Sequence, residues 1–259
     1  MIQYAVPSRG RSRTIRERTL AVMERAGVPS EQITVFADPA ETDDYAQELE
    51  GTGIRLETGE HGVTPQRNRI FDYYEEGQLV VQIDDDIREL MVRDGPQEAH
   101  PITATEWAEI MDVGFRWCRR SGARLWGIYP VYNPMFMRDR VRTDLTYICA
   151  NFWGYFSPGA GKPSPLRATL EDKEDYERSL QCYEADGAVV RLEWLAPITR
   201  YYDEPGGMQA DGLRTEERIR ASAEELVRRF PQYAAMNMSK RSGHAEIRMR
   251  SGPTAAAPR

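Results

Sequence analysis

The chain has 259 residues, enough for one large α/β domain or two small ones with a core that needs no disulfide or metal staple. Its 41 acidic against 34 basic side chains give a formal net charge of -7, which excludes unaided capture of a polyanion as the main activity and leaves room only for a local basic face. Cys118, Cys149 and Cys182 lie far apart without a CxxC spacing and read as reduced core thiols of a cytoplasmic protein, and no stretch reaches the roughly 18 apolar residues of a membrane span.

In chain order, "IQYAV" reads as a short strand ended by Pro7. "SRTIRERTLAVMERAG" follows with Ile15, Leu20, Val22 and Met23 spaced for one helical face and Gly27 as its stop. "QITVFAD" and "GIRLETG" are two further strands, joined by the acidic loop or short helix "PAETDDYAQELEGT". Thr64 as N-cap, with Pro65 at the first helical position, opens the helix "PQRNRIFDYYEEG", which delivers the chain into the strand "QLVVQI". "TATEWAEIMDVGFRWCRRSG" has helical spacing, "RLWGIYPV" is the next strand, and "YICANFWGYF" reads as one buried strand. A Gly/Pro-rich loop, "GYFSPGAGKPSPLR", leads to the helix "EDKEDYERSLQCYEADG", closed by Gly187. "AVVRLEWLAPITRYY" is read as a strand and "RTEERIRASAEELVRRF" as a helix, while the tail "SGPTAAAPR" has nothing to pack and is expected to be disordered. This alternation predicts an α/β domain over residues 1–250, with a mostly parallel mixed central sheet flanked by helices.

The strand "LVVQI" runs into Asp84, Asp85 and Asp86, at the carboxyl end where open α/β sheets bind ligands. Three adjacent carboxylates repel one another unless they point into water or something positive is bound. An Asp-x-Asp pair can supply oxygen ligands to magnesium or manganese, with phosphate oxygens and water completing the shell. Arg9, Arg11 and Arg13 crowd the first strand-to-helix turn, where backbone N–H groups already favour an anion, and Arg67 and Asn68 open the helix that feeds the aspartate strand. The alternative for each arginine is an ordinary solvated surface position.

The ordered succession "YAVPSRGR", "VFAD", "TPQRNRIF", "VVQIDDDI" and "LEDKEDYER" resembles the glycosyltransferases of GT-A fold. More narrowly, "YPVYNPMFM", "TDLTYICANFWG" and "EPGGMQADG" resemble the phage TET/JBP-associated glycosyltransferases, which attach sugars to hydroxymethylated pyrimidines in DNA. The resemblance implies a UDP-sugar donor, a divalent metal (Mn2+ or Mg2+), and DNA containing 5-hydroxymethylcytosine as acceptor, with residues 1–100 as the donor half and 101–250 as the acceptor and catalytic half. It implies that Pro7, Ser8, Arg9, Arg11, Asp38, Arg67, Asn68, Asp84 and Asp85 contact the donor, with Lys240 and Arg241 beside the departing diphosphate. Asp86 would be the principal metal ligand, aided by Asp84 and by His244.

By the same resemblance Glu171-Asp172, followed at helical spacing by Arg178, is the acid pair of an inverting enzyme, with Asp172 as base. Glu174-Asp175 offers a second register, Leu170 replaces a glycine common in that motif, and acids at a helix start also suit the macrodipole without any chemistry. Tyr132, Asn133, Trp153, Gly206 and Gly207 are acceptor candidates, and Trp126, Tyr129 and Tyr155 could join an aromatic platform if they do not belong to the core. A protein or small-molecule acceptor, or a module that binds without catalysing, stays open at this point.

Overall fold

The computed structural model describes residues 1–199, 215–237 and 246–250. The first strand β1 (Ile2–Ser8) is followed by a broken helix: α1 (Ser12–Ile15), a wide π-type stretch (Arg16–Leu20) and α2 (Ala21–Arg25). Next come β2 (Ile33–Ala37), α3 (Thr42–Leu49), β3 (Arg55–Thr58), α4 (Val63–Tyr73) and β4 (Leu79–Ile83). The chain continues through β5 (Glu89–Arg93), β6 (Ala99–Pro101), α5 (Ala104–Ser121), β7 (Leu125–Ile128), β8 (Val141–Arg142) and β9 (Phe152–Phe156). It ends with α6 (Glu174–Asp186), β10 (Val190–Leu192), β11 (Leu195–Ile198), α7 (Glu216–Arg229), β12 (Ala234–Asn237) and β13 (Glu246–Met249).

Eight strands form the main sheet in the order β3-β2-β1-β4-β9-β7-β10-β8. The pairs β3–β2, β2–β1, β1–β4 and β7–β10 are parallel, while β9 runs antiparallel between β4 and β7 and β8 is antiparallel at the edge. A small sheet, β11-β5-β6, and the hairpin β12-β13 stand apart from it.

Strand alternation sorts the core into two layers. Tyr4, Val6, Val81, Ile83, Trp126 and Ile128 face the layer filled by Ile15, Met23, Tyr45, Trp107 and Phe115, whereas Ala5, Val80 and Leu125 face Ile70, Phe71, Leu166 and Cys182. Gly114 on α5 and Gly154 on β9 let the Trp126 indole lie flat between them; a Cβ at these positions would stand 2.5 Å and 2.3 Å from its ring. A third cluster joins Leu180 of α6 to Leu226 and Phe230 at the end of α7 and to Ile247. Cys118, Cys149 and Cys182 are buried thiols.

Several sequence expectations change. The first helix breaks at Arg18 (φ -116, ψ -106), beside Thr19, whose Oγ1 donates to the Asp84 carbonyl (2.6 Å) and accepts from the Ile87 N–H (3.0 Å). The helix therefore gives up a regular turn where it clamps the aspartate turn. Helix α4 starts one residue before Thr64, with Gly62 (φ 95) as its N-cap; the Thr64 hydroxyl instead donates to the Leu170 carbonyl at 2.6 Å. "YICANFWGYF" contributes only Phe152–Phe156 as strand, and "AVVRLEWLAPITRYY" splits into β10 and β11 in different sheets, turning at Glu193 and Trp194. Strands β5, β6, β8, β12 and β13 are not among the expected elements; each is only two to five residues long, too short for a period to stand out. No helix among the described residues is long and apolar enough to cross a membrane.

Candidate active site

Strands β1, β2 and β4 run in parallel, so their carboxyl ends converge on one edge of the sheet, where Ser8, Asp38 and Asp84 through Asp86 emerge. The three aspartates take three directions. Asp85 points inward and is buried: its Oδ2 accepts from Ser8 Oγ (2.5 Å) and its Oδ1 takes an ion pair from Arg11. Ser8 Oγ also shares a hydrogen bond with the Tyr45 hydroxyl (2.6 Å). Asp85 and the Ser8 side chain thus fasten the β4 turn to the β1–α1 turn.

Asp84 and Asp86 keep part of their surface open, their side chains being 31% and 18% exposed. Arg11 Nη1 reaches Asp86 at 3.4 Å, so one guanidinium spans Asp85 and Asp86. Asp84 accepts from Arg67 Nη2 at 2.7 Å. Burial pushes the Asp84 carboxyl above its usual range; Arg67 opposes that rise and the charge of Asp85 adds to it. On the neighbouring strand, Asp38 is buried and holds Arg9 (3.2 Å), His61 Nδ1 (2.8 Å) and the Ala40 N–H (3.0 Å).

Arg67 also connects this edge to the second acid site. Buried within α4, it pairs with Asp84 on one side and through Nε with Glu174 Oε1 on the other (3.1 Å), and reaches Gln82 at 3.4 Å. Burial would lower its pKa, but Asp84 and Glu174 outweigh that and raise it. Glu174 is held in addition by Arg178, its i+4 neighbour on α6. Asp175 turns to the Tyr147 hydroxyl and to the Tyr176 N–H (2.9 Å); burial and the charge of Glu174 push its carboxyl up to about 6. The second register of the acid motif is therefore built into the scaffold, a role that nothing local in "YICANF" signals for Tyr147.

The first register lies just ahead of α6. Residues 169 and 170 are pinned by Glu177, which accepts from both of their N–H groups at 2.8 Å and from Arg229 at 2.6 Å. Lys173 adopts a left-handed conformation (φ 63, ψ 29), unique for a non-glycine among the described residues, and so turns Glu171-Asp172 away from the helix axis. Glu171 is exposed and ion-paired to Arg218; Asp172 is buried, with Arg218 Nε at 3.6 Å.

The Asn68 side-chain amide donates to the Ala168 carbonyl (2.8 Å) and accepts from the Ala168 N–H (3.3 Å), clipping α4 to the segment ahead of the acid pair. Trp153, expected as an acceptor contact, lies in the core instead. It is 1% exposed, packs against Phe71 and Tyr155, and lies under the Arg178 guanidinium at 4.4 Å. Trp126 and Tyr155 are buried too, so no platform forms from them. Tyr132 and Asn133 lie half-buried in the loop after β7. Gly206, Gly207, Lys240, Arg241, His244 and the tail 251–259 lie outside the described residues.

Among the described residues, no cluster of three His, Cys, Asp or Glu could hold a metal alone. Two half-open carboxylates nevertheless suit a hard cation that keeps waters and takes its remaining oxygens from a substrate diphosphate. Asp84 and Asp86 supply that pair.

Comparison with solved structures bears on the fold. TarS from S. aureus (fragment 1-349), in complex with UDP-GlcNAc, superposes with a TM-score of 0.54 at 14% identity, covering 87% of this chain and 66% of that one. The fold is GT-A. Glucosyl-3-phosphoglycerate synthase from Mycobacterium tuberculosis, in complex with Mn2+, UDP-glucose and phosphoglyceric acid, superposes with a TM-score of 0.50 at 12% identity, covering 97% and 87% of the two chains. The present chain thus spans just under two thirds of the TarS fragment, and at such identities the likeness concerns the GT-A fold itself. No protein-family model and no curated protein matches the chain.

Proposed function

We propose that the protein is a metal-dependent, inverting glycosyltransferase that moves a hexose from a UDP-sugar to the hydroxymethyl group of 5-hydroxymethylcytosine in phage DNA. The observation that carries the chemistry is the Arg67 bridge, which fixes the aspartate edge against the start of α6 by contacts of 2.7 Å and 3.1 Å. A donor site and a proton acceptor are thereby held in one rigid frame. Two GT-A neighbours solved with UDP-sugars, one of them with Mn2+, support a nucleotide-sugar donor.

Asp84 and Asp86 would hold the divalent cation, which when bound supplies positive charge to the departing diphosphate. Arg9 and Arg11, at the β1 turn, add cationic charge on the same edge. The acceptor hydroxyl oxygen attacks the anomeric carbon as the carbon–oxygen bond to the diphosphate breaks, and UDP leaves with the bonding electrons. Asp172 takes the hydroxyl proton. Its enclosure by Arg218 and the pinned segment before α6 keeps the carboxylate oriented. Glu174 and Asp175 are less suited to that role, being held by Arg67 and Arg178 and by Tyr147.

The "TDLTYICANFWG" and "YPVYNPMFM" resemblance supports DNA as acceptor. UDP release with manganese, measured with and without hydroxymethylated DNA, tests the reading. Turnover that requires modified DNA is the expected result. Turnover indifferent to DNA would move the acceptor to a protein or small molecule, and neither hydrolysis nor transfer would leave only a binding module.

A further inference from the structure

Between β7 and β8 the chain runs out into a loop that holds Val131, Met135 and Phe136 in water, 49%, 60% and 60% exposed. The loop is firmly built. The Asn133 side chain accepts from the Met135 N–H (3.1 Å), and its carbonyl accepts from Phe136 (3.0 Å) and Met137 (3.1 Å). Arg138 Nη1 closes the tip by donating to the carbonyls of Met135 and Met137, each at 2.7 Å, while Met137 itself is fully buried. Folding thus fixes apolar side chains outward that a self-contained domain has no reason to display.

The loop starts beside the active edge. The Pro130 carbonyl accepts from Asn151 Nδ2 (3.2 Å), and the Asn151 carbonyl accepts from the Asp84 N–H (2.9 Å). Behind the apolar tip the charge is positive. The buried Glu193 carboxylate serves Arg140 (2.6 Å), Arg191 (2.6 Å) and Arg142 (3.9 Å), and Arg142 also meets Asp144 (2.7 Å). With Arg138 added, and with Asp139 of the same loop ion-paired to Arg93, five guanidiniums meet three carboxylates in a chain whose net charge is -7. An apolar tip backed by guanidiniums is complementary to a polyanion with an apolar, stacked interior, which is a nucleic-acid duplex.

We infer that this loop opens the acceptor duplex: Phe136 and Met135 enter the base stack next to the target nucleotide, while Arg138 and Arg140 lie against the phosphates. The inference rests on DNA being the acceptor. It also meets a need of that reading, since Asp172 is only 4% exposed and cannot reach a hydroxymethyl group on a base still stacked in the helix.

The test compares wild type with the double variant Met135→Ser/Phe136→Ser on an oligonucleotide carrying 5-hydroxymethylcytosine beside 2-aminopurine, as duplex and as single strand. With the duplex and no donor present, wild type should raise 2-aminopurine emission and the variant should not. With manganese and UDP-glucose or UDP-N-acetylglucosamine, transfer to the duplex should fall roughly tenfold or more in the variant, and transfer to the single strand should change less than about twofold. Both side chains are exposed, so unchanged melting is expected. A variant that matches an active wild type on duplex overturns the loop's role while leaving the acceptor reading intact. Equal loss on both strand forms, or a wild-type dimer that the variant dissociates, overturns it as well. A wild type that raises no emission and modifies neither form of DNA removes the acceptor reading and the inference together.

Discussion

Replacing Arg67 by methionine isolates the contact on which the proposed chemistry turns. The side chain is 6% exposed and faces Asp84 at 2.7 Å and Glu174 at 3.1 Å, so the variant leaves two acids without their shared cation. Breaking a buried pair from one side costs about 3–5 kcal/mol, and the 31% exposure of Asp84 argues for the lower end, about 3 kcal/mol. For a domain of this size that corresponds to a fall in melting temperature of about 6–12 °C. The loss should depend on pH with a definite sign. Arg67 holds down a carboxyl that burial already raises, so without it Asp84 takes up protons at still higher pH. The variant's deficit should therefore be largest near pH 8 and shrink toward acid pH as Asp84 takes up its proton. Thermal melting of both proteins across that range, with calorimetric titration of manganese and UDP at pH 8, gives both readouts. A deficit below about 1 kcal/mol, or one that does not shrink between pH 8 and the acid limit of the native state, would refute the bridge as the element joining the two acid sites.

Asp172→Asn should abolish transfer while UDP with manganese still binds as in wild type; retained turnover in a transfer assay would remove Asp172 as the base. Asp86→Asn should weaken manganese-dependent UDP binding at least about tenfold in calorimetry, because the amide keeps the side chain's shape and removes one of the two partly exposed carboxylates. Asp175→Asn should stabilise the fold by up to about 3 kcal/mol at pH 8, since a carboxyl raised to about 6 loses stability for the native state as the pH climbs from about 4 to about 6. Chemical denaturation should show that gain disappearing at pH 4. Gly154→Ala should destabilise by about 1–3 kcal/mol, because its methyl would stand 2.3 Å from the Trp126 ring, and a denaturation midpoint equal to wild type would contradict the packing.

Reading the sequence against the structure separates local from distant causes. Strands β1, β2 and β4 were legible as short apolar runs, α6 from its acidic first turn and closing Gly187, and α5 from one apolar face with its capping-box residues, Thr103 and Glu106, and its closing Gly122 in the same stretch. The break at Arg18 was not, since it answers to Thr19 gripping Asp84 and Ile87, residues about 65 positions away. Glu193 likewise interrupts a continuous apolar run, and only the surrounding arginines show why the strand ends there.

The sequence by itself determined that this is an α/β chain with a carboxylate turn at the end of a buried parallel strand and an acid-rich helix start far downstream, because both follow from periodicity and residue type. Only the tertiary structure decided which of these side chains the scaffold itself engages. Asp85 and Asn68 are consumed by contacts inside the fold, Trp153 fills the core, and Arg67 joins Asp84 to Glu174. A hydrogen-bonding side chain is chemically the same whether it serves the scaffold or a substrate, and its partners across the fold settle which it does.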